Sequence, residues 1–155
     1  MGRAYTFDCP KCSFRARVSG GEDQGNNCFV QTHLCQECGD IYDLATYVRW
    51  PTIPSPPTLS PIVIPQRVWP PRSGLKVNLH GYLPDHIHAS GRIRQLKPRL
   101  PSSMLARPPS PRWVQLELQC PKAQHHHLQP WQHPGRCPKC GTFLEQSVVP
   151  FRLWD

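Results

Sequence analysis

The sequence has few apolar residues for its length of 155, since only 38% are hydrophobic and 9% aromatic. No apolar run approaches the roughly 20 residues that a membrane-spanning helix requires. Residues 1–5 lack the basic stretch and following apolar run of a secretory signal. These absences exclude a membrane protein by sequence pattern and predict a cytoplasmic chain, whose thiols a reducing compartment keeps reduced.

Acidic residues are nearly absent from the middle of the chain, where proline is abundant instead. Residues 51–112 contain nine lysines and arginines, the single acidic residue Asp85 and fourteen of the twenty prolines. Proline fixes φ and removes a backbone donor, so this stretch disfavours helices and central strands. Low apolar content with one sign of charge is typical of disorder. We predict a Pro-rich, basic, largely disordered linker that carries the net charge of +8.

The flanking segments, 1–50 and 113–155, are close to neutral and have the patterns of short β-strands. Residues 14–18 alternate apolar and basic side chains, and residues 28–34 are rich in β-forming residues. Residues 113–119 alternate in the same way. We therefore predict two small, mostly β units, one at each end of the chain.

The stretch 40–50 is predicted to form a further strand, with a short helix over 42–48 as the alternative. Units of this size bury too little apolar surface to offset chain entropy without disulfides, metals or partners. The eight cysteines and eight histidines are the available means of stabilisation.

Two Cys-x-x-Cys pairs lie in the first segment. Cys9 and Cys12 form one pair and Cys35 and Cys38 the other, with 22 residues between them. Two cysteines at this spacing reach one ion from a tight turn, and a glycine such as Gly39 lets the chain turn back. Thiol oxidoreductases place the motif between a strand and a long helix, a context that is missing here. The spacing predicts one four-cysteine zinc site within residues 1–50.

The last segment contains three cysteines. Cys137 and Cys140 form a further pair followed by glycine, whereas Cys120 begins a Cys-Pro-Lys-Ala motif with Ala123 in the position of the second cysteine. Three thiolates need a fourth ligand to complete a tetrahedron. Cys28 has no partner at this spacing and is predicted to be a small buried apolar residue.

The histidine-rich stretch after Cys120 supplies candidates for the missing ligand. His126 is the predicted ligand of a second zinc site, with His125 and His127 as alternatives. His133 is less suitable because it lies only four residues before Cys137.

The motifs resemble those of zinc ribbons and of the rubredoxin-like knuckle fold, in which two Cys-x-x-Cys loops at the tips of two hairpins face one ion. More narrowly, residues 5–12, 129–145 and 150–154 are similar to stretches of small bacterial proteins with two zinc ribbons. In that pattern a histidine follows the Cys-Pro motif by about six positions, which Cys120 and His126 match. The resemblance implies a metal-stabilised β fold and no particular activity.

Zinc ribbons present strands and loops from a rigid metal core, so we predict a zinc-binding, non-enzymatic interaction module with two ions. Nucleic acid and protein are both candidate partners. The basic linker either adds sequence-independent affinity for nucleic acid through counterion release or is a solvated flexible spacer. Four aromatic residues are candidates for stacking on bases, although each also suits a core. These residues are Phe14, Phe29, Tyr42 and Phe143.

The alternative function is that of a rubredoxin-like iron protein in electron transfer, because four cysteines hold iron as well as zinc. A catalytic zinc requires an open coordination position, a general base and a pocket. Segments of this size offer little room for a pocket, and we expect neither an enzyme nor a small-molecule substrate.

Overall fold

The computed structural model of the chain describes residues 1–49, 79, 83–94 and 113–154, and these residues form ten β-strands. In chain order the strands are β1 (Gly2–Asp8), β2 (Arg15–Val18), β3 (Glu22–Gln24), β4 (Cys28–Cys35), β5 (Asp40–Arg49), β6 (Ile87–His88), β7 (Trp113–Gln115), β8 (Leu128–Pro130), β9 (Glu145–Gln146) and β10 (Arg152–Trp154). None of the described residues forms a helix long and apolar enough to cross a membrane.

The first sheet is built around β1 and has the order β10-β1-β2, with β9 also paired to β1. All of its pairings are antiparallel. β9 and β10 pair with successive parts of β1, and the intervening loop 147–151 is held by hydrogen bonds from Ser147 N to Thr6 O and from Phe151 N to Ala4 O. The last strand of the described chain therefore lies beside the first, with Gly2 opposite Trp154.

The second sheet is built around the long hairpin β4-β5 and has the order β3-β4-β5-β6. β7 pairs antiparallel with β5, and β8 pairs antiparallel with β4. β6 pairs with β5 in parallel. Both sheets thus combine strands from the N-terminal and the C-terminal segments.

The sequence predicted separate β units at 1–50 and 113–155, but the strands of these two segments pair with each other in both sheets. β1 has its partners β9 and β10 more than 130 residues away, and β4 has its partner β8 more than 90 residues away. The physical reason is that each short segment leaves strand edges unpaired, and the other segment satisfies their backbone groups.

The strand predictions in the N-terminal segment are confirmed, with β2 and β4 at the expected places and a strand rather than a helix after Cys38. The predicted strand 113–119 is shorter, because β7 ends at Gln115 and Leu116 continues only as an isolated bridge to Ile93. The protein therefore has a small, mostly β fold, without a helix in the described residues.

The predicted linker is not uniform. Most of it lies outside the described residues, but residues 83–94 contain β6 and pack on the second sheet. Leu79, Ile87 and Ile93 are buried in a core cluster together with Val30 and Leu116. These three residues of the predicted linker thus contribute to a core, although their isolated positions among prolines and polar residues form no strand-length pattern.

A buried polar network holds the turn after β2 to the second sheet. Asp43 is fully buried and accepts hydrogen bonds from the Thr32 hydroxyl at 2.6 Å and from the Ser19 N–H and hydroxyl at 2.7 and 2.8 Å. The Thr32 hydroxyl in turn accepts from the N–H groups of Gly20 and Gly21. Burial raises the pKa of Asp43 to about 6, so the carboxylate is charged at neutral pH and the three donors balance its desolvation.

Replacing this carboxylate tests the importance of the network. We expect Asp43→Asn to lower the free energy of unfolding by about 3 kcal/mol, because the amide N–H₂ replaces one of two acceptor oxygens and leaves either the Thr32 donor or the two Ser19 donors without an acceptor. The measurement is chemical denaturation at pH 7 with saturating metal. The matched control is Asp85→Asn, whose side chain is 97% exposed and whose loss we expect to be without measurable effect. Equal stability of the two variants would contradict the role of the network.

Candidate metal centres

Two groups of four metal-ligating side chains converge in the described residues. The first, the four-sulfur cluster, consists of Cys9, Cys12, Cys137 and Cys140. The second, the sulfur–histidine cluster, consists of Cys35, Cys38, Cys120 and His126. Within each group the ligand atoms lie within 4.8 Å of one another.

The pairing of β1 with β9 positions the four-sulfur cluster. Cys9 follows the last residue of β1, Asp8, which lies opposite Glu145 of β9. The Cys137 turn leads directly into β9, so this register brings the two turns face to face. The Sγ atoms of Cys9 and Cys140 are 3.3 Å apart, and those of Cys12 and Cys137 are 3.5 Å apart.

The two turns of the four-sulfur cluster have the same backbone design. The N–H of Cys9 donates to Phe14 O at 2.8 Å, and the N–H of Cys137 donates to Thr142 O at 2.7 Å, so each bond spans five residues. The residue after the second cysteine has a positive φ in both turns, 57° at Ser13 and 74° at Gly141. The chain can therefore reverse direction after each Cys-Pro-Lys-Cys motif, and the two sulfurs of each turn lie close to each other.

Hydrogen-bond donors support the negative charge of the sulfurs. The backbone N–H of Lys139 lies 3.4 Å from Cys137 Sγ. The side chain of Thr142, followed by its backbone N–H, lowers the pKa of Cys140 to about 6. Cys9 and Cys137 are buried in an apolar cluster with Phe7, Trp131 and Leu144, which keeps water from one side of the site.

The sulfur–histidine cluster is positioned by the hairpin β4-β5 and by β8. Cys35 ends β4 and lies opposite both Asp40 of β5 and Leu128 of β8. Because β8 pairs with β4, the stretch 120–127 lies beside the turn that carries Cys38. Gly39, with a φ of 59°, closes that turn.

His126 directs its Nδ1 atom towards the three sulfurs. The distances from Nδ1 are 3.2 Å to Cys38 Sγ, 3.6 Å to Cys35 Sγ and 3.7 Å to Cys120 Sγ. The Sγ atoms of Cys38 and Cys120 are 3.5 Å apart. The neighbouring histidine His125 packs edge-on against the His126 ring, with centroids 4.7 Å apart.

Polar contacts fasten the stretch 120–129 to the Cys35–Cys38 turn. Lys122 pairs with Asp40 at 3.2 Å, and the Gln36 amide donates to Gln129 at 3.1 Å. A third contact joins Glu37 to His127, whose N–H donates at 3.1 Å. This backbone hydrogen bond is the main reason that the pKa of Glu37 is lowered to about 2.

The distances in both clusters fit a tetrahedral ion rather than disulfides. With metal–sulfur bonds of about 2.3 Å and metal–nitrogen bonds of about 2.0 Å, the edges of a ligand tetrahedron are about 3.5–3.8 Å long. A disulfide brings its sulfurs to about 2.05 Å, whereas all eight cysteines have free thiols. Each cluster therefore offers four donors around one point, with sulfur and imidazole ligands suited to zinc.

The structure divides the eight predicted ligands differently from the sequence prediction. Cys9 and Cys12 join Cys137 and Cys140, and not the nearer pair at 35 and 38. The prediction of one site in each end segment is corrected accordingly. Its assumption was that pairs close in sequence share an ion, but β1 and β4 belong to different sheets, so their ends point to different partners.

The remaining candidates lie outside the clusters. His125 and His127 are exposed neighbours of His126, and His133 packs against Phe7 with ring centroids 5.4 Å apart. Cys28 is buried in the core of the second sheet, and burial raises its pKa to about 12.

Comparison of the chain with protein-family models, with curated proteins and with solved structures finds no match. The clusters themselves are compatible with zinc-ribbon-like units.

Double substitutions distinguish the two ways of grouping the ligands. Cys9→Ser with Cys35→Ser removes one ligand from each structural cluster, so we expect bound cobalt or zinc to fall from two ions per chain to none. Cys9→Ser with Cys140→Ser damages only the four-sulfur cluster, and we expect one ion to remain. The measurement is metal content after gel filtration, with the sulfur-to-cobalt absorption band as a second readout.

The control for protein damage is Cys28→Ser, which lies outside both clusters and should retain both ions. If the variant with Cys9 and Cys35 replaced kept one ion, and the variant with Cys9 and Cys140 replaced lost both, the ligands would be grouped by proximity in sequence instead.

Proposed function

We propose that the chain is a zinc-binding, non-enzymatic interaction module in which two structural zinc ions join its N-terminal and C-terminal segments. The observation that carries this proposal is the presence of two complete four-donor clusters, each with ligands from both segments. Four protein ligands leave no coordination position for water or substrate, which is the arrangement of structural zinc rather than of catalytic zinc. Ions held in this way contribute directly to folding free energy.

The surface beside the four-sulfur cluster is the interaction surface that we favour. Of the four aromatic candidates for stacking, Phe14, Phe29 and Tyr42 are buried, whereas Phe143 is 54% exposed. The Arg136 guanidinium lies over the Phe143 ring, 5.0 Å from its centroid. An exposed ring beneath an arginine offers stacking and charge to a single-stranded nucleic acid.

Further cations lie close to this aromatic pair. Lys139 follows Pro138 in the turn between the two cysteines, and its ammonium group is 5.4 Å from the centroid of the Phe14 ring. Lys11 occupies the equivalent place in the facing turn and is exposed. The two turns thus present lysines on the outside of the same cluster. Their charge favours a phosphate backbone over a basic or neutral protein surface.

Metal content per chain tests the main proposal. We expect two zinc ions per chain and no visible colour for protein purified without added metal, and loss of cooperative unfolding after chelation. One ion would indicate that one cluster is open, and none would overturn the proposal.

Iron at the four-sulfur cluster is the second candidate, and it would make the chain a rubredoxin-like electron-transfer protein. Two observations favour it, namely the four thiols in paired Cys-Pro-Lys-Cys turns and the exposure of Cys12. In that case we expect coloured protein with one iron per chain, and bleaching on reduction.

Substitution of Phe143 tests the interaction surface. We expect Phe143→Ala to weaken binding of a fluorescently labelled single-stranded RNA about 5- to 150-fold, from the loss of about 1–3 kcal/mol of stacking. Phe143→Trp should retain binding. Lys122→Ala, at the sulfur–histidine cluster, is the control that removes a charge and keeps the Phe143 ring. The measurement is fluorescence anisotropy at two salt concentrations. Absence of binding by the unchanged protein would leave a protein as the partner.

A further inference from the structure

Two sulfur–sulfur contacts in the four-sulfur cluster run between its two turns. Cys9 Sγ lies 3.3 Å from Cys140 Sγ, and Cys12 Sγ lies 3.5 Å from Cys137 Sγ. Each of these two contacts joins the N-terminal segment to the C-terminal segment, over 131 and 125 residues. We call Cys9–Cys140 and Cys12–Cys137 the crossed pairs. In each of them the two sulfurs are already in contact when an oxidant removes the ion.

The four-sulfur cluster is open to a small oxidant on one side. Cys12 is exposed and Cys140 is partly exposed, whereas their partners Cys137 and Cys9 are buried. Each crossed pair thus contains one accessible and one protected sulfur. A peroxide can reach the accessible sulfur, and the protected thiolate is then the neighbour that attacks it.

The sulfur–histidine cluster contains only one such pair, Cys38 and Cys120, whose Sγ atoms are 3.5 Å apart and of which Cys38 is partly exposed. It has three sulfurs, of which Cys35 and Cys120 are buried, and His126 occupies the fourth place. Complete conversion of its thiols into disulfides is impossible because their number is odd. The two clusters therefore differ in chemistry as well as in position.

We propose that the four-sulfur cluster is an oxidation site at which hydrogen peroxide exchanges the metal for two crossed disulfides, Cys9–Cys140 and Cys12–Cys137. This inference rests on the proposed function, since it takes zinc as the ion in the cluster. At each pair, peroxide oxidises one thiolate to a sulfenic acid, and the second thiolate attacks that sulfur and expels hydroxide. In total, four thiolates with the Zn²⁺ they hold, two peroxide molecules and four protons give two disulfides, four water molecules and one free Zn²⁺.

The crossed pairing has a structural consequence that pairing within a turn does not have. Disulfides Cys9–Cys140 and Cys12–Cys137 keep β1 tied to the segment that leads into β9, so the first sheet persists after the ion has left. Disulfides within each Cys-x-x-Cys turn would close only small loops and leave the two segments unconnected. The oxidised protein is therefore folded and lacks one metal ion.

Peptide mapping of the full chain tests the proposal. Trypsin cleaves after Lys11 and Lys139, between the two cysteines of each turn. Crossed disulfides therefore link peptide 4–11 to peptide 140–152, and peptide 12–15 to peptide 137–139. Pairing within the turns would instead link 4–11 to 12–15 and 137–139 to 140–152. Mass spectrometry of the alkylated, non-reduced digest separates the two patterns.

Zinc is measured in the same samples before and after peroxide. We expect two ions before treatment, one after it, and loss of four of the eight thiols, with Cys28→Ala showing the same pattern and thereby excluding exchange through the spare thiol. Disulfides within the turns, or zinc retained at the four-sulfur cluster under peroxide, would overturn the inference while leaving the proposed function intact. Protein that contains no zinc before treatment would overturn the proposed function itself.

Discussion

The convergence of ligands from both halves of the chain is the constraint on which the rest of the structure depends. Each cluster takes one Cys-x-x-Cys pair from the first 40 residues and its other two ligands from beyond residue 119. Two of the apolar clusters in the described residues contain these sulfurs: Phe7 and Trp131 pack with Cys9 and Cys137, and Tyr42 and Leu44 pack with Cys35 and Cys120. In the proposed zinc-bound form, a chain with so few hydrophobic residues would obtain long-range order from coordination chemistry, since a single ion fixes two distant segments at once.

The local parts of this design could be predicted from sequence because they depend on residues a few positions apart. A Cys-x-x-Cys turn and the residue after it, as at Cys38 and Gly39, are defined within five or six residues. The strand after Cys38 and the mostly β fold class follow from alternation along the chain, and both are confirmed. The placement of His126 among three sulfurs also has a local origin, because it follows Cys120 by six residues.

The partition of the ligands is a property of strand pairing, and no local pattern encodes it. Whether Cys9 faces Cys35 or Cys140 depends on β1 pairing with β9 and on β4 pairing with β8, at registers that involve residues more than 90 positions apart. The same applies to Ile87 and Ile93, whose burial depends on β5 and Leu116 rather than on their proline-rich surroundings. Asp43 is a comparable case, since its sequence position gives no sign of the three donors that surround it.

The pairing of Gly2 with Trp154 sets the order in which the molecule can be completed during synthesis. Translation delivers β1 shortly before its partner β2 and long before its other partners, β9 and β10. The sulfur–histidine cluster gains its final ligand at residue 126, and the four-sulfur cluster does so only at residue 140. Cys9 and Cys12 of the nascent chain therefore lack their partner side chains until residue 140 has been made, and β1 completes its pairing only after β9 and β10 have been made.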